Sequence, residues 1–139
     1  MSNGSLYTHI QNNIATVEFY HQSSNSFPSE LLERLATTFN ELNINNEVQV
    51  IVLKSEKDKA FCAGASFDEL IEINNIEAGK KFFLGFANVI NAMRNCSKII
   101  IGRVQGKAVG GGVGVPPPLL DDLEQALPYR MTKMGNSTR

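Results

Sequence analysis

The sequence lacks tryptophan, has only two cysteines and carries almost no excess of charge of either sign. A formal net charge of −1 over 139 residues excludes a strongly basic nucleic-acid-binding protein. Cys62 and Cys96 are too few for a disulfide framework and lack the spacing of metal ligands. No apolar run approaches a membrane span, and the polar residues 1–13 contain no signal-peptide core. We therefore expect a soluble cytoplasmic protein that binds neither nucleic acid, membrane nor metal.

Proline is nearly absent from most of the chain and concentrated near its end. Only Pro28 precedes Val115, and the other four prolines follow it. Isoleucine and phenylalanine are distributed the opposite way, since none follows Ile101. The break predicts two parts of different character, residues 1–115 and a tail over residues 116–139.

Alternation and helical periodicity predict an α/β fold with the order ββαβααβ. The predicted strands cover residues 7–10, 14–19, 48–53 and 99–104, with a turn at Asn12-Asn13 and the last two strands buried. The predicted helices cover residues 28–43, 67–74 and 76–95. The first helix has an apolar stripe formed by Leu31, Leu35, Phe39 and Leu42. The last helix contains Phe82, Phe83 and Phe86.

A capping box is predicted at the start of the second helix. The hydroxyl of Ser66 can accept the backbone N–H of Glu69, while the Glu69 side chain reaches back to the N–H of Ser66. The two histidines, His9 and His21, are isolated in the sequence, and we expect both at the surface.

Two segments of small residues follow predicted strands. The first is residues 61–66, and the second is residues 104–112, with three consecutive glycines. Small residues leave backbone N–H groups accessible to a ligand, but they are equally typical of tight turns where chains pack closely. Nucleotide-binding loops are excluded by spacing, because Gly106-Lys107 is followed by Ala108 and the glycines do not form G-x-G-x-x-G. A G-x-S-x-G nucleophile elbow is also absent.

Taken together, the two segments resemble those of the enoyl-CoA hydratase/isomerase (crotonase) family. Residues 60–65 are similar to the family's first oxyanion-hole segment, and residues 102–112 to its second. Asn25 is similar to the asparagine of the family's first coenzyme-A loop. The resemblance covers about residues 5–115, and it implies the N-terminal half of a crotonase-like ββα spiral.

The resemblance also implies an activity, hydration (a lyase reaction) or isomerisation of an unsaturated acyl-CoA thioester, as in fatty acid metabolism. The thioester carbonyl would lie between the backbone N–H groups of Ala63 and Gly111, which stabilise the developing enolate. Coenzyme A is part of the substrate, so no separate cofactor is implied, and the full-length family form is a homo-trimer or hexamer. The implied substrate-binding positions are Gln22, Ser24, Ala63, Gly64, Ala65, Ser66, Phe67, Gly110, Gly111 and Gly114. Lysines 54, 57 and 59 could meet coenzyme-A phosphates, but a solvated charged loop is the favoured interpretation.

Three features of the sequence depart from the family pattern. Gly114 stands where many hydratases carry a catalytic glutamate, and Gln22 stands where a lysine is common. Prolines 116–118 occupy the early turns of a family helix, so we expect that helix not to form and the Gly111 donor to be poorly fixed. We therefore expect a truncated chain with a tail foreign to the family, and a short helix over residues 119–127. A non-catalytic acyl-CoA-binding or interaction module is the alternative function, and the acyl group stays open.

Overall fold

A four-stranded mixed β-sheet forms the framework of the protein. The computed structural model describes residues 4–56 and 60–110; the predicted tail, the helix over residues 119–127, Gly111, Gly114, Lys57 and Lys59 lie outside them. The elements follow the predicted order: β1 (Ser5–Gln11), β2 (Ile14–Tyr20), α1 (Ser29–Asn43), β3 (Val50–Ser55), α2 (Phe67–Leu70), α3 (Ile76–Arg94) and β4 (Ile99–Arg103). Spatial and sequence order coincide in the sheet, which runs β1-β2-β3-β4.

The hairpin of β1 and β2 is the sheet's antiparallel part, and β2, β3 and β4 run parallel. Its turn is at Asn12 and Asn13, as predicted, with φ angles of 54° and 66°. Asparagine tolerates this left-handed conformation better than most residues, and two successive left-handed residues match the twist of a hairpin. The parallel strands bring the ends of β2, β3 and β4 to the same edge of the sheet, where the small-residue segments begin.

The core lies between one face of the sheet and the helices α1 and α3. Alternate residues of β2 and β3 are fully buried, and so is the predicted stripe of α1: Ala15, Val17, Phe19, Ile51, Leu53, Leu31, Leu35 and Phe39. Gly85 of α3 lies against Leu32 of α1, because a Cβ at Gly85 would come within 3.1 Å of the Leu32 Cδ1 atom. Of the three phenylalanines of α3, Phe82 and Phe86 are buried and Phe83 is exposed.

The burial predicted for the last strand is wrong. The side chains of Ile99 and Ile101 on β4 are 64% and 42% exposed, and Ile100 on the opposite face is half-buried. The physical reason is position, because β4 is the edge strand of the described sheet and the described helices cover only one face. Hydrophobic composition alone does not distinguish an edge strand from a central one.

The second helix is shorter than predicted, because α2 ends at Leu70 rather than near Asn74. The chain continues in turns, with Ile73 N–H donating to the Leu70 carbonyl. Asn75 then caps α3, its side chain accepting the Ala78 N–H at 2.7 Å.

Candidate functional site

The segment 61–66 is held between two other parts of the chain. On one side, Cys62 N–H donates to the Lys107 carbonyl at 3.2 Å and Val109 N–H donates to the Cys62 carbonyl at 3.1 Å. On the other side, Phe27 N–H donates to the Gly64 carbonyl at 2.7 Å and Ser66 N–H to the Phe27 carbonyl at 2.9 Å. These parallel bridges fix the backbone of the segment in two directions.

An aromatic cluster supports the segment from the core. The Phe19 ring lies 4.8 Å from that of Phe27 and 5.4 Å from that of Phe61, and Phe27 also contacts Phe86 of α3. All three of Phe19, Phe27 and Phe61 are fully buried. Aromatic burial is among the largest single contributions to a core, so the residues flanking the segment are firmly anchored.

Gly64 requires glycine for conformational reasons. Its φ angle is 93°, in the left-handed region that side chains rarely adopt. This turn directs Gly64 N–H towards the Cys62 sulfur, which accepts it at 3.4 Å. Burial raises the pKa of the Cys62 thiol to about 11, so the thiol stays protonated at neutral pH and does not act as a base or nucleophile.

The backbone N–H of Ala63 is a free donor of the segment within the described part of the chain, as is that of Ala65. Its neighbours at Cys62, Gly64 and Ser66 all donate hydrogen bonds, whereas Ala63 N–H has no acceptor among residues 4–56 and 60–110. Ala63 is only half-buried, so the donor is accessible from outside. A fixed N–H group without a protein partner can donate to the carbonyl oxygen of a ligand.

The second small-residue segment reaches the first, as the sequence led us to expect. Val109 bonds to Cys62, and a Cβ at Gly110 would lie 4.0 Å from the Gly64 Cα atom. Gly110 has a φ angle of 55°, another left-handed residue at the point of contact. Residues far apart in the sequence therefore meet at Ala63. The roles predicted for Gly111 and Gly114 stay predictions, because these residues lie outside the described ones.

The loop 22–26 lies next to this segment and is bonded to the residue that precedes it. Gln22 and Ser24 are exposed, while Asn25 is fully buried. The Asn25 Nδ2 atom donates to the Ala60 carbonyl at 2.9 Å, and its Oδ1 atom accepts His21 N–H at 2.9 Å. Asn25 thus connects the loop to the residue directly before segment 61–66. The sequence indicated this asparagine only through its resemblance, and it did not predict the tie to Ala60.

The capping box is only half as predicted. The Ser66 hydroxyl accepts Glu69 N–H at 3.4 Å, but Ser66 N–H donates to Phe27 instead of to the Glu69 side chain. The Glu69 carboxylate accepts from the N–H group of Ser29 at 2.8 Å and from its hydroxyl. Glu69 therefore caps α1 from another helix, where its charge also complements the helix dipole. Phe67, next to Ser66, is 73% exposed.

One histidine is not where the sequence indicated. His9 is exposed as expected, but the expectation for His21 is wrong, because its side chain is only 4% exposed. Burial lowers the pKa of His21, and the nearby Asp68 carboxylate opposes this effect. The only hint of this burial in the sequence was the presence of two serines, Ser23 and Ser26, close to the histidine.

No cluster of His, Cys, Asp or Glu suited to a metal ion occurs within residues 4–56 and 60–110. In the same ranges, no helix is long and apolar enough to cross a membrane.

Comparison with known proteins decides the family. The sequence pattern described as enoyl-CoA hydratase/isomerase matches residues 9–116, most of the chain. The chain belongs to the enoyl-CoA hydratase/isomerase family. The resemblance inferred from the two small-residue segments and Asn25 is thereby confirmed.

Curated relatives within this family act on different coenzyme-A thioesters. The chain is 33% identical over 88 residues to the short-chain-enoyl-CoA hydratase of Clostridium acetobutylicum, covering 63% of this chain and 33% of that protein. It is 28% identical over 90 residues to 6-oxocyclohex-1-ene-1-carbonyl-CoA hydrolase of Geobacter metallireducens, covering 63% of this chain and 24% of that protein. The chain thus spans about a quarter to a third of the length of these relatives.

Solved structures of the family share the fold. A protein from Hyphomonas neptunium, assigned to the enoyl-CoA hydratase/isomerase family, superposes with a TM-score of 0.74 at 25% identity; the match covers 80% of this chain and 43% of that one. The enoyl-CoA hydratase of Bacillus halodurans, at 18% identity, superposes with a TM-score of 0.72 over 79% of this chain and 45% of that one. The fold is therefore crotonase-like, as predicted, and the chain corresponds to part of it.

Proposed function

We propose that this chain carries the carbonyl-binding part of an enzyme that hydrates or isomerises an unsaturated acyl-CoA thioester. The backbone N–H of Ala63 would be one donor to the thioester oxygen, and that of Gly111 the other. The observation that carries the proposal is the Ala63 N–H group itself, which is half-buried and has no acceptor in the described part of the chain. Because Ala63 is only half-buried, this donor is open to a ligand oxygen, which would replace water as its partner.

The donor is also fixed in position before any ligand arrives. Bridges to Phe27 and to Ala108 hold the backbone on both sides of Ala63, and the left-handed Gly64 follows it directly. A donor that need not reorganise is the most effective kind, and one such group is typically worth about 2.7–4 kcal/mol in the transition state. Small side chains at residues 63–65 leave room for a thioester to approach the backbone.

The chemistry follows from where charge develops. Addition of water to a conjugated enoyl thioester, or movement of its double bond, passes negative charge to the carbonyl oxygen as an enolate. Two N–H donors stabilise that oxyanion more than the neutral carbonyl, and this difference lowers the barrier. Cys62, the titratable residue next to Ala63, does not move the proton, because burial raises its pKa to about 11.

The test uses crotonyl-CoA labelled with ¹³C at the thioester carbonyl and the ¹⁵N-labelled 139-residue chain. Binding should shift the Ala63 amide resonance and move the carbonyl carbon downfield, as hydrogen bonding polarises the C=O bond. Loss of the ultraviolet absorbance of the conjugated thioester reports hydration. An Ala63 resonance unchanged at saturating ligand would refute the assignment of this donor.

Ala65 offers the matched control within the same segment. Its N–H group also has no acceptor within residues 4–56 and 60–110, but Ala65 follows Gly64 and is bridged to Phe27, whereas Ala63 precedes Gly64. We expect the amide shift of Ala65 to change less than that of Ala63, because only Ala63 would donate to the ligand. A larger change at Ala65 would assign the oxyanion donor to Ala65 instead of Ala63.

A non-catalytic acyl-CoA-binding module is the second candidate. It is favoured by the side chains of residues 62–65, which comprise alanine, glycine and a protonated thiol and offer no general base. Carbonyl polarisation without loss of the enoyl absorbance would support this candidate, and measurable hydration would exclude it. With either function we propose a cytoplasmic location, and a homo-trimer or hexamer for the full-length family form.

A further inference from the structure

The imidazole of His21 is buried beside the loop 22–26 and contacts two of its residues, Ser23 and Ser26. His21 directly follows β2, and its Nδ1 atom is 3.1 Å from Ser23 N and 3.2 Å from the Ser26 hydroxyl oxygen. Because a backbone N–H can only donate, Nδ1 is the acceptor of the Ser23 bond. His21 is therefore neutral in this arrangement, with its proton on Nε2.

The loop needs such support because its backbone is strained. Ser24 and Asn25 have φ angles of 54° and 58°, two successive left-handed residues without a glycine. Residues in this region persist only where surrounding contacts hold them. Those contacts come from His21 and Asn25: the His21 ring accepts Ser23 N–H, its backbone N–H donates to Asn25 Oδ1, and its carbonyl accepts Asn25 N–H at 2.9 Å.

In the described part of the chain, Gly4 and Asp68 face His21 from other elements. A Cβ built on Gly4, next to β1, would lie 3.2 Å from the His21 Cδ2 atom and 3.4 Å from Leu31 of α1, so neither neighbour brings a charge. Asp68 of α2 is the charged group whose field reaches the ring, and it favours the protonated form. Burial acts more strongly in the opposite direction, because a charged imidazolium here loses solvation.

We propose that neutral His21 is a positioning residue that holds the loop 22–26 in its acyl-CoA-binding conformation, and that protonation of His21 releases the loop and weakens binding. The part concerning acyl-CoA rests on the proposed function. Protonation places a hydrogen on Nδ1, where it opposes the Ser23 N–H donor. The Ser26 hydroxyl can rotate to accept the new proton, but Ser23 N–H loses its partner.

Release of the loop reaches the carbonyl-binding segment through Asn25. The Asn25 side chain connects His21 N–H to the carbonyls of Ala60 and Glu56. If the loop moves, the anchor directly before residues 61–66 is weakened as well. The effect is therefore expected both at the loop and at the Ala63 amide.

The test combines amide NMR with binding, over a titration from about pH 8 to about pH 4, which extends below the ordinary histidine range because burial lowers the pKa of His21. In the free protein, the Ser23 amide resonance should move with the same midpoint as the His21 ring resonances. Crotonyl-CoA affinity, measured by calorimetry, should fall about 3- to 10-fold across this range, the effect expected for one net hydrogen bond. A Ser23 amide that does not follow His21 would overturn the proposal.

Two variants separate His21 from other titrating groups. His21→Asn keeps an acceptor oxygen near the Nδ1 position but cannot be protonated, so its affinity should lose this part of the pH dependence. His9→Asn removes the exposed histidine and should behave as the unmodified chain. The comparison between variants is essential because a coenzyme-A phosphate itself titrates near pH 6. Equal pH dependence in the unmodified chain and His21→Asn would refute the role of His21.

Failure of the proposed function would give a different result. If the chain binds no crotonyl-CoA at any pH, the acyl-CoA assignment fails, but the coupling of the Ser23 amide to His21 in the free protein is still measured. If His21→Asn does not fold, the Ser23 amide titration of the free unmodified chain, in which no coenzyme-A phosphate is present, decides whether His21 holds the loop.

Discussion

Asn25 is expected to be the most sensitive polar residue of the loop 22–26. Its side chain is fully buried and makes three hydrogen bonds, to His21 N–H and to the carbonyls of Ala60 and Glu56. Asn25→Ala removes all three. The two carbonyls belong to half-buried or exposed residues and can accept from water instead. The His21 N–H group is buried, and leaving it without a partner costs about 1–3 kcal/mol.

The backbone adds a second cost. Alanine at a φ angle of 58° is disfavoured by about 1–2 kcal/mol, a cost that asparagine partly avoids by local hydrogen bonding. The sum predicts that Asn25→Ala lowers the free energy of unfolding by about 2–5 kcal/mol. With an m value of about 2 kcal/mol/M for a small domain, the urea midpoint should fall by about 1–2.5 M.

Two further variants separate the cost of the lost hydrogen bonds from the cost of the left-handed backbone. Asn25→Gly also loses the hydrogen bonds but accepts the left-handed backbone, so it should be about 0.5–1 kcal/mol more stable than Asn25→Ala after the greater freedom of unfolded glycine is deducted. Asn40→Ala, at an exposed position of α1, should change stability by less than about 0.5 kcal/mol. An Asn25→Ala midpoint equal to that of Asn40→Ala would show that the buried network does not stabilise the fold as argued.

Two more predictions concern Glu69 and the cysteines. Glu69→Ala should lower stability by about 1 kcal/mol, because α1 loses the cap at Ser29, and Glu69→Gln should lose less since one acceptor oxygen remains; unchanged urea midpoints would contradict the cap. Cys62, with a pKa of about 11 and no exposure, should resist iodoacetamide at about pH 8 while half-buried Cys96 reacts. Mass spectrometry of the modified peptides checks this, and equal rates at both thiols would contradict the burial of Cys62.

Much of the fold was predictable because local patterns agree with the tertiary structure. The stripe from Leu31 to Phe39 is buried in α1 as its spacing predicts, and the Asn12-Asn13 turn lies where the hairpin needs left-handed residues. The failures have a common cause. The exposure of Ile99 depends on whether another element covers β4, and nothing in five consecutive residues encodes that.

The candidate site was predictable as two segments but not as an arrangement. Glycines such as Gly64 mark positions where the backbone must be left-handed, and this requirement is visible in the sequence. The partners of polar side chains are not visible in the same way. Glu69 bonds to Ser29 rather than to Ser66, and His21 is buried rather than exposed, because both outcomes depend on residues brought close only by folding.

By itself, the sequence determined the element order, the hydrophobic faces and the family, since periodicity and short glycine-containing segments are local properties of the chain. Only the tertiary structure decided which backbone donors are free. Cys62, Gly64 and Ser66 find acceptors at Lys107, at a sulfur and at Phe27, and Ala63 and Ala65 find none among the described residues. Whether an N–H group is available to a ligand depends on every neighbour that could have accepted it, and those neighbours come from strands and loops far apart in the chain.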